Sequence, residues 1–182
     1  MHLDLAQLLN LTDEIPNYRQ LMRELKQWKN SEAMVLEAAK PYLIAAIYRE
    51  WRLPMLVVTA QPDNGKKLHE QLLNWCGSSQ VKYFPEPDAL PYERIASDVS
   101  TELERVQVLS ALTDCDYDES GINAPVVVAS APALMGKTAL HKDFISTIHT
   151  VELGMNVEPF LLLSRWEGMG YKMKNLGEVP GT

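Results

Sequence analysis

Short apolar runs separated by helix-length stretches constrain this chain more than any other feature of its sequence. Met55-Leu56-Val57-Val58, Val81-Lys82-Tyr83-Phe84 and Pro125-Val126-Val127-Val128-Ala129 read as buried strands, and Ala33-Met34-Val35-Leu36 reads as another. Residues 41–51, 66–75 and 101–112 read as helices between or beside them, with Pro41 in a first turn where its missing N–H costs nothing. Strand, helix, strand in that order predicts an α/β domain with a parallel sheet and helices on both faces. Strands apolar along their whole length suit a sheet covered on both sides.

The flanking segments are read the same way. Residues 3–11 and 17–28 are predicted helices, the second with an apolar stripe of Leu21, Leu25 and Trp28. Pro62, Asp63, Asn64 and Gly65 read as a turn, and residues 85–100, with three prolines, as a loop. Residues 114–124 form an acidic linker. From about residue 145 the rhythm changes. Residues 147–153 alternate like a strand, 157–169 look helical, and 171–176 could start another strand. Residues 1–144 are therefore expected to form one domain, and 145–182 the opening of a second whose remainder lies outside the sequence.

Composition narrows the function classes. Across 182 residues, 46% hydrophobic and 23% charged content permits a real core and argues against disorder. A net charge of -7 disfavours a free-standing, non-specific nucleic-acid binder. Cys76 and Cys115 lack metal or redox spacing, and His2, His69, His141 and His149 are scattered, so no metal site is predicted. The N-terminus has no basic segment of the signal-peptide kind, and no apolar run approaches the ~20 residues of a membrane span, so a cytoplasmic protein is expected.

Two lysine-bearing segments invite a nucleotide-binding reading. Ala60-Gln61-Pro62-Asp63-Asn64-Gly65-Lys66-Lys67 lies at a strand-to-helix junction, but Ala60 stands where a phosphate loop needs Gly and Lys67 where it needs a hydroxyl. Ala131-Pro132-Ala133-Leu134-Met135-Gly136-Lys137-Thr138 has the terminal Gly-Lys-Thr but lacks the leading glycine. Its bland alternative is a short helix with Gly136 as C-cap. No nucleophile elbow or catalytic cysteine context is evident, and no catalytic residue is assigned.

Three further segments carry a family resemblance. They are Phe84-Pro85-Glu86-Pro87-Asp88-Ala89-Leu90-Pro91-Tyr92-Glu93, then Glu102-Leu103-Glu104-Arg105-Val106-Gln107-Val108-Leu109, then Pro125-Val126-Val127-Val128-Ala129-Ser130. In this order they resemble the N-terminal, UvrB-like module of the bacterial transcription-repair coupling factors (Mfd). Val106 stands where the family's helix motif has Leu. Gly168-Met169-Gly170-Tyr171 and Val179-Pro180-Gly181 resemble a later family segment.

The resemblance implies a degenerate RecA-like first domain, of the P-loop NTPase type, followed by the start of a small α+β domain that contacts UvrA. It places the former phosphate loop at Leu36-Glu37-Ala38-Ala39-Lys40-Pro41-Tyr42. A lysine survives there, no glycine does, Pro41 has no N–H, and Glu37 puts a negative charge near any phosphate. No cofactor is therefore expected in this chain; by resemblance, ATP and Mg²⁺ serve motor domains elsewhere in the full-length translocase.

The implied function is a non-catalytic module that helps bring UvrA to RNA polymerase stalled at DNA damage, with polymerase and DNA held by other domains. Leu90, Pro91, Tyr92 and Glu93 are the family-motif loop, expected to pack onto the sheet or touch a partner. Arg165, Tyr171, Lys172 and Lys174 are candidate partner contacts. Lys172 and Lys174 share one face of the expected strand, as a basic patch or a plain solvated edge; Arg165 and Trp166 lie on the expected helix. The alternative is an active ATP-binding domain of a helicase or UvrB-like repair protein, using Lys40, Lys66 or Lys137.

Overall fold

A computed structural model describes residues 5–87, 99–115, 124–149 and 151–171. After a 3-10 segment at Leu5–Glu14 come α1 (Pro16–Lys26), a 3-10 turn at Glu37–Ala39, α2 (Lys40–Trp51), β1 (Met55–Thr59), α3 (Pro62–Cys76), β2 (Val81–Phe84), α4 (Val99–Cys115), β3 (Val126–Ser130), α5 (Ala131–Met135), α6 (His141–Thr147) and α7 (Pro159–Gly168). The three strands form a parallel sheet in the order β1-β3-β2. Met55 pairs with Val126 on one side of β3, and Val81 pairs with Val126 on the other. The expected parallel α/β arrangement is therefore present.

Strand geometry sends successive side chains to opposite faces, and β3 builds two cores in this way. Val126 and Val128 enter the larger core, with Ala45, Ala46 and Tyr48 of α2 and Leu68 and Leu72 of α3. Val127 and Ala129 enter a smaller core with Phe84, Val108 of α4 and Ala133 of α5. Every residue of β3 is buried, as a central parallel strand requires. The Tyr48 hydroxyl donates to the Ala124 carbonyl, tying α2 to the start of β3.

β1 departs from the expectation of two covered faces. Met55 and Val57 pack into the larger core, but Leu56 and Val58 are 56% and 52% exposed on the other face. Among the described residues β1 pairs with β3 alone and α4 packs against β2, so that side of the sheet is covered unevenly.

Several boundaries and one strand differ from the sequence reading. Residues 33–36 form no strand; Met34 is fully exposed and Leu36 is 82% exposed. A strand needs a neighbour for its N–H and C=O groups, and a short apolar run in which Val35 alone is β-branched does not supply one. The turn expected at Pro62–Gly65 is instead the first turn of α3, with Pro62 at its N-terminal position. The buried stripe of α1 is Tyr18, Met22 and half-buried Leu25, rotated from the expected Leu21, Leu25 and Trp28. Trp28 lies past the helix at φ 55° and is 83% exposed, its ring 6.0 Å from that of Trp51. Val99 and Ser100 belong to α4 rather than to the preceding loop.

The described part of residues 147–153 is not a strand, whereas α7 bears out the helix expected nearby. No described helix is long and apolar enough to cross a membrane.

Candidate functional site

In open α/β sheets ligands bind at the carboxyl ends of the strands. That edge is built here from Thr59, Phe84 with the residues after it, and Ser130. α3 sits tightly on it. A Cβ on Gly65 would lie 3.0 Å from Thr59 Oγ1 and 3.4 Å from Tyr83 Cε2, so glycine there allows the helix to approach the sheet. Gly65 is buried and helical, and Lys66 and Lys67 point into solvent. The segment from Ala60 to Lys67 is thus a closely packed strand-to-helix junction.

The Gly-Lys-Thr segment has the opposite polarity to a phosphate loop. In such a loop the lysine opens a helix whose N–H groups face the phosphates. Here α5 precedes Gly136, and Lys137 and Thr138 follow it in exposed, non-helical chain. Ser130 caps α5, its Oγ accepting from the Ala133 N–H at 3.2 Å. The helix ends with Gly136 as its C-cap, as expected, and Gly136 is extended there (φ -70°).

Within residues 36–42 only Pro41 is buried; Ala39 and Tyr42 are half-buried and the other four are exposed. Leu36 is exposed, Glu37, Ala38 and Ala39 form one 3-10 turn, and Lys40 opens α2. The Ala39 N–H donates to the Leu36 carbonyl. Lys40 Nζ pairs with Glu37 Oε2 at 2.5 Å. Pro41 is buried. The Tyr42 hydroxyl donates to the Leu8 carbonyl at 2.8 Å, and its ring meets Trp75 edge-on at 5.1 Å.

The sequence reading assigned no role to Arg105, Glu86 or Ser130, although all three lie in the quoted motifs. Arg105 is 7% exposed. Its guanidinium lies 4.1 Å over the Phe84 ring, and Nη1 donates to the Pro85 carbonyl at 2.6 Å and marginally to that of Ala133 at 3.5 Å. Burial pushes its pKa below the usual arginine value. Ser130 Oγ donates to Glu86 Oε1 at 3.2 Å. Arg105 and Ser130 thus hold the chain leaving β2, which leads toward Leu90, Pro91, Tyr92 and Glu93; those four lie outside the described residues. One signal was readable: Arg105 stands three residues before buried Val108, on the inward stripe of α4.

The C-terminal candidates are not brought to this edge by any contact described. Arg165 is exposed on α7, its Nη1 3.2 Å from His149 Nδ1. Trp166 is half-buried, Tyr171 is 46% exposed just after α7, and Lys172 and Lys174 lie outside the described residues. Phe160 and Leu161 on α7 are 82% and 70% exposed. A cavity of about 490 Å³ lies between His149, Met155, Leu161 and Arg165. No group of three or more metal-ligating side chains occurs among the described residues.

No family model matches the chain. The chain is 22% identical over 144 residues to the transcription-repair-coupling factor of Bacillus subtilis (strain 168). The match covers 79% of this chain and 12% of that protein, so the chain spans a small part of the length of its relative. This is a distant relation to the transcription-repair coupling factors, in agreement with the resemblance carried by the sequence motifs.

Proposed function

We propose that this chain is a non-catalytic module of a transcription-repair coupling factor that helps recruit UvrA to RNA polymerase stalled at DNA damage. The observation that carries the reading is the state of residues 36–42. Lys40 is paired with Glu37, the Tyr42 hydroxyl is held by the Leu8 carbonyl, and Pro41 has no N–H to offer. The distant match to the Bacillus subtilis protein supports the same reading. On this view residues 1–144 are a RecA-like domain that has lost its phosphate cradle. Residues 145–182 open the UvrA-contacting domain, with Arg165, Tyr171, Lys172 and Lys174 as contacts. ATP and Mg²⁺ then act in motor domains of the whole protein, and DNA and polymerase are held by domains other than this one.

The test has two parts. Immobilised UvrA is expected to retain the chain extended through its complete second domain at micromolar concentration, and Arg165→Glu is expected to weaken retention. Calorimetry with Mg-ATP is expected to give no heat of binding. Absence of retention would overturn the recruiting role. ATP binding lost on Lys40→Ala, Lys66→Ala or Lys137→Ala would establish an active nucleotide site instead.

A further inference from the structure

α1 carries Arg19, Arg23 and Lys26 at helical spacings of four and three, so all three lie along one side of the helix. Together with Arg49 of α2 they line an open groove of about 700 Å³ floored by Tyr18 and Met22. Two carboxylates share it, and both are engaged. Glu50 accepts from Lys26 Nζ at 2.5 Å and from the Tyr18 hydroxyl at 3.2 Å. Asp13 lies 3.5 Å from Arg49, whose other terminal nitrogen donates to Asn10 Oδ1.

Arg19 and Arg23 make no ion pair among the described residues. Each is anchored at Nε on a main-chain carbonyl, Arg19 on Asp13 and Arg23 on Arg19. That anchoring steadies each guanidinium while leaving its two terminal nitrogens for an incoming oxygen pair, the geometry in which arginine binds carboxylates best. In a chain of net charge -7, two adjacent cations with no ion pair among the described residues are a local exception.

We infer that this groove docks an acidic polypeptide segment, one presenting two carboxylates two residues apart in extended conformation. Four residues of α-helix rise about 6 Å, and alternate residues of an extended chain are about 6.6 Å apart, so two carboxylates on one side of such a segment match Arg19 and Arg23. Nucleic acid would offer a similar phosphate spacing, but as a dense polyanion. Two unpaired guanidiniums release few counter-ions, and the remaining charge of the chain opposes a long polyanion. A short acidic motif asks for no more than the groove supplies.

The test uses the whole 182-residue chain, labelled with ¹⁵N, at 20 mM salt. It is titrated with an eight-residue peptide of alternating Glu and Ser, the same peptide with Gln for Glu, and a twelve-nucleotide single-stranded DNA. The Glu peptide is expected to shift the Arg19 and Arg23 Nε–H signals saturably. The Gln peptide should bind at least tenfold more weakly, as should the Glu peptide to R23Q. The Gln peptide needs no altered protein, so that comparison stands even if R23Q fails to fold. No saturable shift by 5 mM Glu peptide, equal binding of Glu and Gln peptides, undiminished binding to folded R23Q, or tighter binding of the DNA at the same signals would each overturn the inference.

Discussion

Replacing Gly65 by alanine sets two known effects against each other. Gly65 lies inside α3 without a positive φ, so alanine should gain helix propensity of about 0.8–1 kcal/mol. The added Cβ would stand 3.0 Å from Thr59 Oγ1, so that Thr59 must give by a few tenths of an ångström, and 3.4 Å from Tyr83 Cε2, which is ordinary contact. Moving Thr59 strains the hydrogen bond its hydroxyl donates to the Gln61 carbonyl at 3.0 Å. Overpacking of this kind costs roughly 1–3 kcal/mol. The net expectation is a loss of about 1 kcal/mol, or about 2–4 °C in Tm for a chain of this size. Removing the obstacle should reverse the sign: in a Thr59→Ala background, Gly65→Ala should stabilise by about 0.5–1 kcal/mol. Urea unfolding of the four proteins in this cycle measures the coupling directly, expected at roughly 1–2 kcal/mol. Gly65→Ala raising the urea midpoint with Thr59 in place would refute the close approach, and with it the account of why α3 seals the sheet edge.

Arg105→Lys keeps the charge but loses the planar stack on Phe84 and the aligned donor to Pro85. A loss of about 1–2 kcal/mol is expected in urea unfolding, and a midpoint equal to the parent's would remove the clamp from the argument. Burial pushes the Cys76 thiol up to about 11, against an ordinary 9.0. In a Cys115→Ser background, its reaction with a thiol reagent at pH 8 should run roughly a hundredfold slower in the native chain than in urea. The Tyr18 hydroxyl is pushed up to about 12 by burial and by the Glu50 carboxylate beside it. The folded state therefore favours the neutral phenol. That contribution is complete below pH 10, the ordinary tyrosine value, and is lost as pH rises through 12. Unfolding measured from pH 9 to 12 should show this step, and Tyr18→Phe should remove it.

The parallel sheet was legible because its signal is local. β3 is an uninterrupted run of small and β-branched residues, and burial on both faces is what such a run requires. Residues 33–36 are also an apolar run, though only Val35 is β-branched, and form no strand, because pairing depends on a neighbour that the local sequence does not encode. The first turn of α3 was misread for a related reason. Pro, Asp, Asn and Gly in succession are turn formers, yet Pro suits a helix start and Gly65 is required by the approach to Thr59. The α1 stripe is displaced from Leu21, Leu25 and Trp28 because Tyr18 and Met22 face the core. At the candidate site, the missing glycines and the awkward Pro41 were plain in the sequence. The partners that hold Lys40, Tyr42 and Arg105 are brought in from Glu37, Leu8, Phe84 and Pro85, and for Tyr42 and Arg105 only the fold supplies them.

Which of these features would most oppose a phosphate at residues 36–42 follows from magnitudes. The Glu37–Lys40 pair is exposed, and such pairs contribute about 0–1 kcal/mol, so breaking it is a small cost. Repulsion between Glu37 and a phosphate oxygen about 4 Å away is about 1 kcal/mol per unit charge in bulk water, rising to about 4 kcal/mol near a protein surface. The backbone is a larger obstacle. A phosphate loop works through several converging N–H groups, but here Pro41 has none and the Ala39 N–H is already given to Leu36. Glu37→Gln would relieve the charge and leave that backbone as it is. The variant is therefore expected to show no heat of binding with Mg-ATP at millimolar concentration. Binding by Glu37→Gln, absent in the parent chain, would mean that one carboxylate had been closing a cradle otherwise intact.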